Sequence, residues 1–305
     1  MYLLLTLGEY QQHSPRLAVL DWGSKKIVDG YTYSSPDFPG VPSNSFRGGT
    51  LYNGLFYVCT FNELLVMDIS TWTIRGKFSR PTFNDLHDVY VDENGIWVCS
   101  TGLECAEHYS HDFELLQRVN MSERNYFDKE HDYRLYEIDK RTTPRKHHIN
   151  NVVNVKNKIL ITRGKSASVS TIDGRVVIDN LPGMPHDGFV FNDEFYLTIV
   201  KGFVQSFEVG SWKLKHTFDL NKCYKENVAL GWCRGLAVDN QGMFVGFTKF
   251  RPSKSLDYIR WIPNRQRRLN TRVARYSFGS NSIEEECILK SSPGTTTLLY
   301  GIYLI

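Results

Sequence analysis

The sequence predicts an all-β protein: a six-bladed β-propeller with four-stranded blades, formed as a single domain over residues 1–305. Three observations carry this. One hairpin pattern recurs six times, a second recurs five times ahead of it, and the missing sixth copy of the second is divided between the two ends of the chain. Sharing one blade between both ends closes the ring and removes the free sheet edges that would otherwise pair with other molecules.

The sixfold hairpin is a strand, a polar turn and a second strand. Its copies are "LAVLDWGSKKIVDGYTY" (17–33), "LVMDISTWTIRGKF" (65–78), "AEHYSHDFELLQRV" (106–119), "SVSTIDGRVVID" (168–179), "VQSFEVGSWKLKHTF" (204–218) and "VARYSFGSNSIEEECIL" (273–289). β-Branched and aromatic residues flank Gly, Asn, Asp and Ser in each, which is a hairpin signature. The second pattern runs "GGTLYNGLFYVCT" (48–60), "HDVYVDENGIWVCST" (87–101), "NNVVNVKNKILIT" (150–162), "DGFVFNDEFYLT" (187–198) and "RGLAVDNQGMFVGFT" (234–248). Its sixth copy takes one strand from "TTLLYGIYLI" (296–305) and the other from "YLLLTL" (2–7). A large β-sandwich would not repeat in six matched groups. Tyr57, Trp97, Phe195 and Phe244 then read as inter-blade core.

Composition narrows the function. With 41% hydrophobic residues a full core is available, and a net charge of +3 gives no general pull toward nucleic acid or membrane. The segment "MYLLLTLGEY" lacks the basic region and cleavage site of a signal peptide and reads as a strand. No apolar run is long enough for a transmembrane helix. The six cysteines (59, 99, 105, 223, 233, 287) show no CxxC spacing, so reduced thiols in a cytoplasmic protein are the expectation. The sequon "NMS" at 120–122 is discounted on the same ground.

The chain resembles six-bladed propellers in general, over essentially its whole length. Enzymes of that architecture, such as bacterial arylsulfate sulfotransferases, place His and Arg around the mouth of the central channel. The layout here is similar and the local motifs are not, so no residue role transfers. "HHIN" at 147–150 is similar to a phrase of uncharacterised propeller families, which implies no activity.

Long insertions fall on one face: 34–46, 121–147, 221–233 and 249–272. The turns of the opposite face, such as "DENG", "KNK" and "DNQG", are minimal. Variable loops on a rigid scaffold mark the functional face. Within 121–147, apolar Tyr126, Phe127, Tyr133, Leu135, Tyr136 and Ile138, with Glu137 and Arg141 four apart, suit a short amphipathic helix ended by Pro144. It is expected to dock over blade 3 or 4. The stretch 251–275 holds eight Arg or Lys against Asp257, interleaved with Tyr258 and Trp261. That mixture can track a nucleic-acid backbone, but a solvated face or anion flap explains it better.

Aligning the first strands of the blades places Arg47, His87, His186 and Arg234 in equivalent positions. Blade 4 offers Asn150 or Asn151 there, with His147 and His148 just before. These residues are expected to ring the mouth of the channel. His87, His148 and His186, from successive blades, suit general acid–base chemistry or a divalent metal (Zn, Fe or Ca) with an open coordination site. Arg47 and Arg234 suit a carboxylate, sulfate or phosphate. A second ring follows the Thr that ends every second strand (Thr6, Thr60, Thr101, Thr162, Thr198, Thr248). Three residues beyond each stand Glu9, Glu63, Glu104, Lys165, Lys201 and Arg251 in blade order. Three acids followed by three bases predict a mouth polarised for a zwitterionic, amino-acid-like ligand.

Nothing matches a P-loop, a Rossmann glycine pattern, GxSxG or HExxH, so no nucleotide cofactor is expected. Cys233, beside Arg234, reads as buried structure rather than as a nucleophile. Two classes remain. One is an enzyme (hydrolase, lyase or group transferase) acting on a small polar, anionic or zwitterionic substrate. The other is a non-catalytic propeller that binds a peptide or protein partner.

Overall fold

Six four-stranded antiparallel sheets form the ring, as a computed structural model that describes residues 1–10, 14–38, 45–122, 131–135, 146–224, 228–250, 267–291 and 294–305. From the channel outward, blade 1 is Thr297–Leu304, Tyr2–Glu9, Arg16–Asp21 and Lys26–Thr32. Blade 2 is Gly49–Tyr52, Leu55–Cys59, Leu64–Asp68 and Thr73–Phe78. Blade 3 is Leu86–Asp92, Gly95–Ser100, Cys105–Tyr109 and Leu115–Asn120. Blade 4 is Ile149–Val155, Lys158–Arg163, Ser168–Thr171 and Val176–Ile178. Blade 5 is Pro185–Phe191, Glu194–Ile199, Phe203–Glu208 and Leu214–Asp219, and blade 6 is Trp232–Asp239, Gly242–Thr248, Arg272–Ser277 and Ser282–Ile288. The chain is a six-bladed β-propeller.

The period-two alternation of strand side chains gives each blade two apolar faces, one for each neighbour. In blade 1, Leu3, Leu5 and Leu7 pack on Phe244 and Val273 of blade 6, while Leu4 packs with Phe56 and Leu65 of blade 2. The other junctions have cores of their own: 2 with 3 around Phe83 and Val98, 3 with 4 around Trp97 and Ile161, 4 with 5 around Phe195, and 5 with 6 around Phe247. Each buried Leu or Phe contributes about 1.5–3 kcal/mol. Trp97, Phe195 and Phe244 are fully part of this core, and Tyr57 packs half-buried at its margin.

Closure is as the divided hairpin predicts. Residues 297–304 pair antiparallel with 3–9, from Leu304 opposite Leu3 to Thr297 opposite Glu9. On the short-turn face, Asn53–Gly54, Lys156–Asn157 and Asn192–Asp193 all have positive φ, the two-residue geometry that matches strand twist.

Of the insertions, 251–266 and most of 121–147 lie outside the described residues, and with them Tyr126, Phe127, Tyr136, Glu137, Ile138, Arg141 and Pro144 of the expected amphipathic helix. What is described of 121–147 includes one 3-10 turn, Tyr133–Leu135, docked on blades 2 and 3. Asn84 Nδ2 donates to the Tyr133 carbonyl at 2.6 Å, and Asn62 Nδ2 donates to the Arg134 carbonyl at 3.0 Å. Among the described residues no helix is long and apolar enough to cross a membrane.

Candidate functional site

A β-bulge at the same place in every first strand builds the site. The ladder between first and second strands skips His87 in blade 3, Asn150 in blade 4, His186 and Asp187 in blade 5, Arg234 and Gly235 in blade 6, and Tyr300 in blade 1. In blade 2, Cys59 accepts from the Arg47 N–H and donates to the Gly48 carbonyl, again two residues against one. A bulge leaves its extra residue unpaired and re-aims the side chain. This is why an arginine or histidine stands immediately before a short apolar strand in blades 2, 3, 5 and 6.

Below the bulges the six first strands enclose a cavity of 440 Å³, within the range of small-molecule sites. His87, His186 and Tyr300 line one part of it, and Val153, Phe189, Leu236 and Ile302 contribute apolar wall. The second bulge residue divides the ring in two. It is Asp88, Asn151 and Asp187 in blades 3 to 5, but Gly48, Gly235 and Gly301 in blades 2, 6 and 1. The histidines stand over the first half; Arg47, Arg234 and Tyr300 stand over the glycine half.

The first half is latched blade to blade. Asp88 Oδ2 accepts from Asn151 Nδ2 at 2.6 Å and from the Val152 N–H at 3.0 Å. Asp187 Oδ2 accepts from the Thr198 hydroxyl at 2.5 Å and from the Gly235 N–H at 2.7 Å. Burial outweighs the donors at Asp88 and pushes its carboxyl well above the usual range.

The imidazoles converge. The His87 ring lies 4.9 Å from that of His148 and 6.3 Å from that of His186, centroid to centroid. His87 Nδ1 is 2.8 Å from both the Asp85 carbonyl and Arg47 Nη1. Arg47 Nη1 also reaches Asp85 Oδ1 at 2.8 Å. Nδ1 can donate to the Asp85 carbonyl or accept from the Arg47 guanidinium, but not both, so the two contacts compete for one ring nitrogen. Burial, reinforced by the Arg47 charge, holds His87 well below the ordinary imidazole range despite Asp85. Burial also opposes the charge on Arg47, but Asp85 and the Tyr300 phenol outweigh it. Asp85 achieves this from a left-handed backbone, φ 52°. His186 Nδ1 lies 3.2 Å from Asp187 Oδ1.

Among the described residues no group of three His, Cys, Asp or Glu has the geometry to hold a metal ion. The physical reason is Arg47, whose Nη1 stands 2.8 and 3.4 Å from the two ring nitrogens of His87 and would repel a cation there. The arginines are also more committed than a simple anion clamp requires. Arg234 is buried, with Nε donating to the Leu299 carbonyl at 2.7 Å and its guanidinium over the Tyr300 ring. They do not line the cavity themselves but pack directly behind residues that do, Arg47 against His87 and Arg234 against Tyr300.

The ring of acids facing bases is not formed. Glu9, Glu63 and Glu104 are buried and absorbed by loop anchoring. Glu9 accepts from the hydroxyls of Thr295 (2.5 Å) and Thr297 (3.1 Å), and Glu63 accepts from the Tyr33 hydroxyl at 3.1 Å. Glu104 accepts backbone N–H bonds from Lys146 at 3.0 Å and from His147 and His148 at 2.6 Å each. Lys165 is exposed and Lys201 half-buried, neither lining the cavity, and Arg251 lies outside the described residues. The Thr ring is likewise structural. All six are buried, and Thr101 and Thr248 donate to the Ile149 and Leu299 carbonyls of the next blade. His147 is taken up by Ser166 and Arg163 at 2.6 and 2.7 Å. Burial pushes the Cys233 thiol up, so it is no nucleophile.

Comparison with solved structures adds the architecture. A protein of unknown function from Bacteroides caccae superposes with a TM-score of 0.67 at 11% identity, covering 99% of this chain and 97% of that one. A chain in the crystal structure of a nidogen/laminin complex gives 0.60 at 10% identity, covering 98% and 97%. The likeness is one of fold alone. No family model and no curated protein matches the sequence.

Proposed function

We propose that the protein is an enzyme acting on a small molecule with an anionic or strongly polar head and an apolar body, bound in the channel cavity. The observation that carries this reading is the bulge ring, whose His87, Asn150, His186 and Tyr300 line one largely apolar cavity, with Arg47 packed against His87 and Arg234 against Tyr300. A purely structural ring would not need two guanidiniums on one side and imidazoles on the other. His87, held neutral, suits a general base, and His186 suits the partner that moves a second proton. The Arg47 and Arg234 half supplies the potential that favours an anionic head. A zwitterionic substrate is dropped, because the carboxylates meant for its cationic end are engaged elsewhere. The buried free thiols are in keeping with a reducing compartment such as the cytoplasm.

The test is a thermal-shift screen with small aryl and alkyl carboxylates, sulfates and phosphates, each beside a neutral isostere. Anionic members should raise the melting temperature of the wild-type protein. Arg234→Gln should abolish that rise, and His87→Gln should retain binding but lose turnover of any hit that reacts. Zinc should leave the melting temperature unchanged. A screen in which neutral isosteres bind as well as anions, or in which only peptides bind, overturns the reading in favour of a partner-binding propeller.

A further inference from the structure

Tyr300 takes, in blade 1, the bulged position that Arg47 and Arg234 hold in the flanking blades 2 and 6, and it lines the cavity. Its ring is only 8% exposed. The Arg234 guanidinium carbon lies 3.6 Å from the ring centroid, and that of Arg47 lies 5.7 Å from it on the side of blade 2. Arg234 is fixed by its bond to the Leu299 carbonyl and is 5% exposed, so water screens this charge little. The attraction is mutual: the Tyr300 phenol is one of the groups that keep Arg47 charged. Burial raises the other buried phenols of this chain and acts on Tyr300 too, but two cations held against its ring oppose that and favour the deprotonated form. In a ring of six, blade 1 lies opposite blade 4, so Tyr300 looks across the cavity between His87 of blade 3 and His186 of blade 5.

We propose that Tyr300 is a third proton-transfer group of this site, cycling between phenol and phenolate beside Arg47 and Arg234 while the histidines work the opposite wall. The proton leaves a C–H, N–H or O–H of the bound molecule for the phenolate oxygen and returns from it, so no oxidant or further reactant is needed. The role rests on the cavity being the reacting site, as proposed above, but its test needs no substrate.

Isotope-labelled tyrosine, followed by the ring-carbon resonance next to the oxygen, reports each phenol separately, and Tyr300→Phe identifies the signal. Burial pushes Tyr90 and Tyr196 up to about 12 and Tyr33 and Tyr303 further, which keeps those signals out of the window. Tyr300 should titrate at least about one pH unit below the ordinary phenol value of ~10. Arg234→Gln should return it by about one unit, and Arg47→Gln should move it the same way by less, which keeps the test open if the buried Arg234 cannot be replaced in a folded protein. Near neutral pH, N-acetylimidazole should acetylate Tyr300 in the wild-type protein and about tenfold less in Arg234→Gln, the change a one-unit shift implies. The acetyl carbon passes to the phenolate oxygen and imidazole leaves. Titration at or above the ordinary value in folded protein, or no response to either arginine, overturns the proposal. An acidic Tyr300 in a protein that binds no small anion would instead leave the acidity standing and remove the substrate reading, and with it the proton-transfer role.

Discussion

Gly48→Ala tests the latch between blades 3 and 4. A Cβ built on Gly48 would lie 1.9 Å from Asp88 Oδ1, 2.7 Å from its Cγ and 2.8 Å from the His87 carbonyl. None of these distances is tolerable, and Asp88 is the group that can rotate. Rotation costs the bonds its Oδ2 accepts from Asn151 Nδ2 at 2.6 Å and the Val152 N–H at 3.0 Å. The Val152 N–H is buried, where water does not replace the lost acceptor, whereas the half-buried Asn151 faces the cavity. At about 1–3 kcal/mol for one buried group left unsatisfied, the substitution should cost roughly 1–3 kcal/mol. That is a large share of a typical domain's ~5–15 kcal/mol. Urea unfolding followed by tryptophan fluorescence reads the loss, since Trp97 sits in the same junction. In an Asp88→Ala background, Gly48→Ala should cost less, because the closest clash and the latch bonds are gone and only the His87 carbonyl contact remains. Loss below about 1 kcal/mol, or an equal loss in both backgrounds, would refute the latch.

The remaining predictions concern pH and closure. Because His87 is held below its unfolded value of ~6.5, the unfolded chain binds a proton that the folded one does not as pH falls through that value. Stability present above ~6.5 should then be lost toward lower pH by up to about 1.4 kcal/mol per unit, and His87→Gln should flatten that slope in denaturation series between about pH 6.5 and 5. Deleting 297–304 removes the inner strand of blade 1 and its register with 3–9. The product should be insoluble or melt far below the full chain. An unchanged melting curve would contradict ring closure.

Much of the fold was legible because it depends on local period and turn chemistry, repeated six times. Asn-Gly and Asn-Asp turns, alternating strands and the divided hairpin each act over a few residues. Four of the ring positions (Arg47, His87, His186, Arg234) were legible as well, since each sits immediately before an apolar strand. Tyr300 was missed although "YG" at 300–301 lines up with "RG" at 47–48 and 234–235; an aromatic beside glycine carries no charge to attract notice. The acid and base series misled for a different reason. Spacing from a strand end fixes where a residue starts but not where a long side chain finds its partner. Glu104 turns to the three N–H groups of residues 146–148, which are distant in sequence and adjacent in space. Which nitrogen of His87 carries the proton was likewise beyond the sequence, because it depends on the position of Arg47 one blade away.

The divided blade also has a meaning for the order of synthesis. The strand bearing Tyr300 follows every other blade element in the chain, yet it lies innermost, between blade 2 and blade 6. While a ribosome is still making residues 297–304, the leucines at 3, 5 and 7 already exist but lack the strand that covers their inner edge. Blades 2 to 6 can pair their own strands as they emerge. The cavity cannot acquire its Arg47–Tyr300–Arg234 side until translation has passed residue 304. A chain stopped before residue 297 would therefore carry five complete blades and every histidine, but not the enclosed site, and the inner edge of Tyr2–Glu9 would stay open.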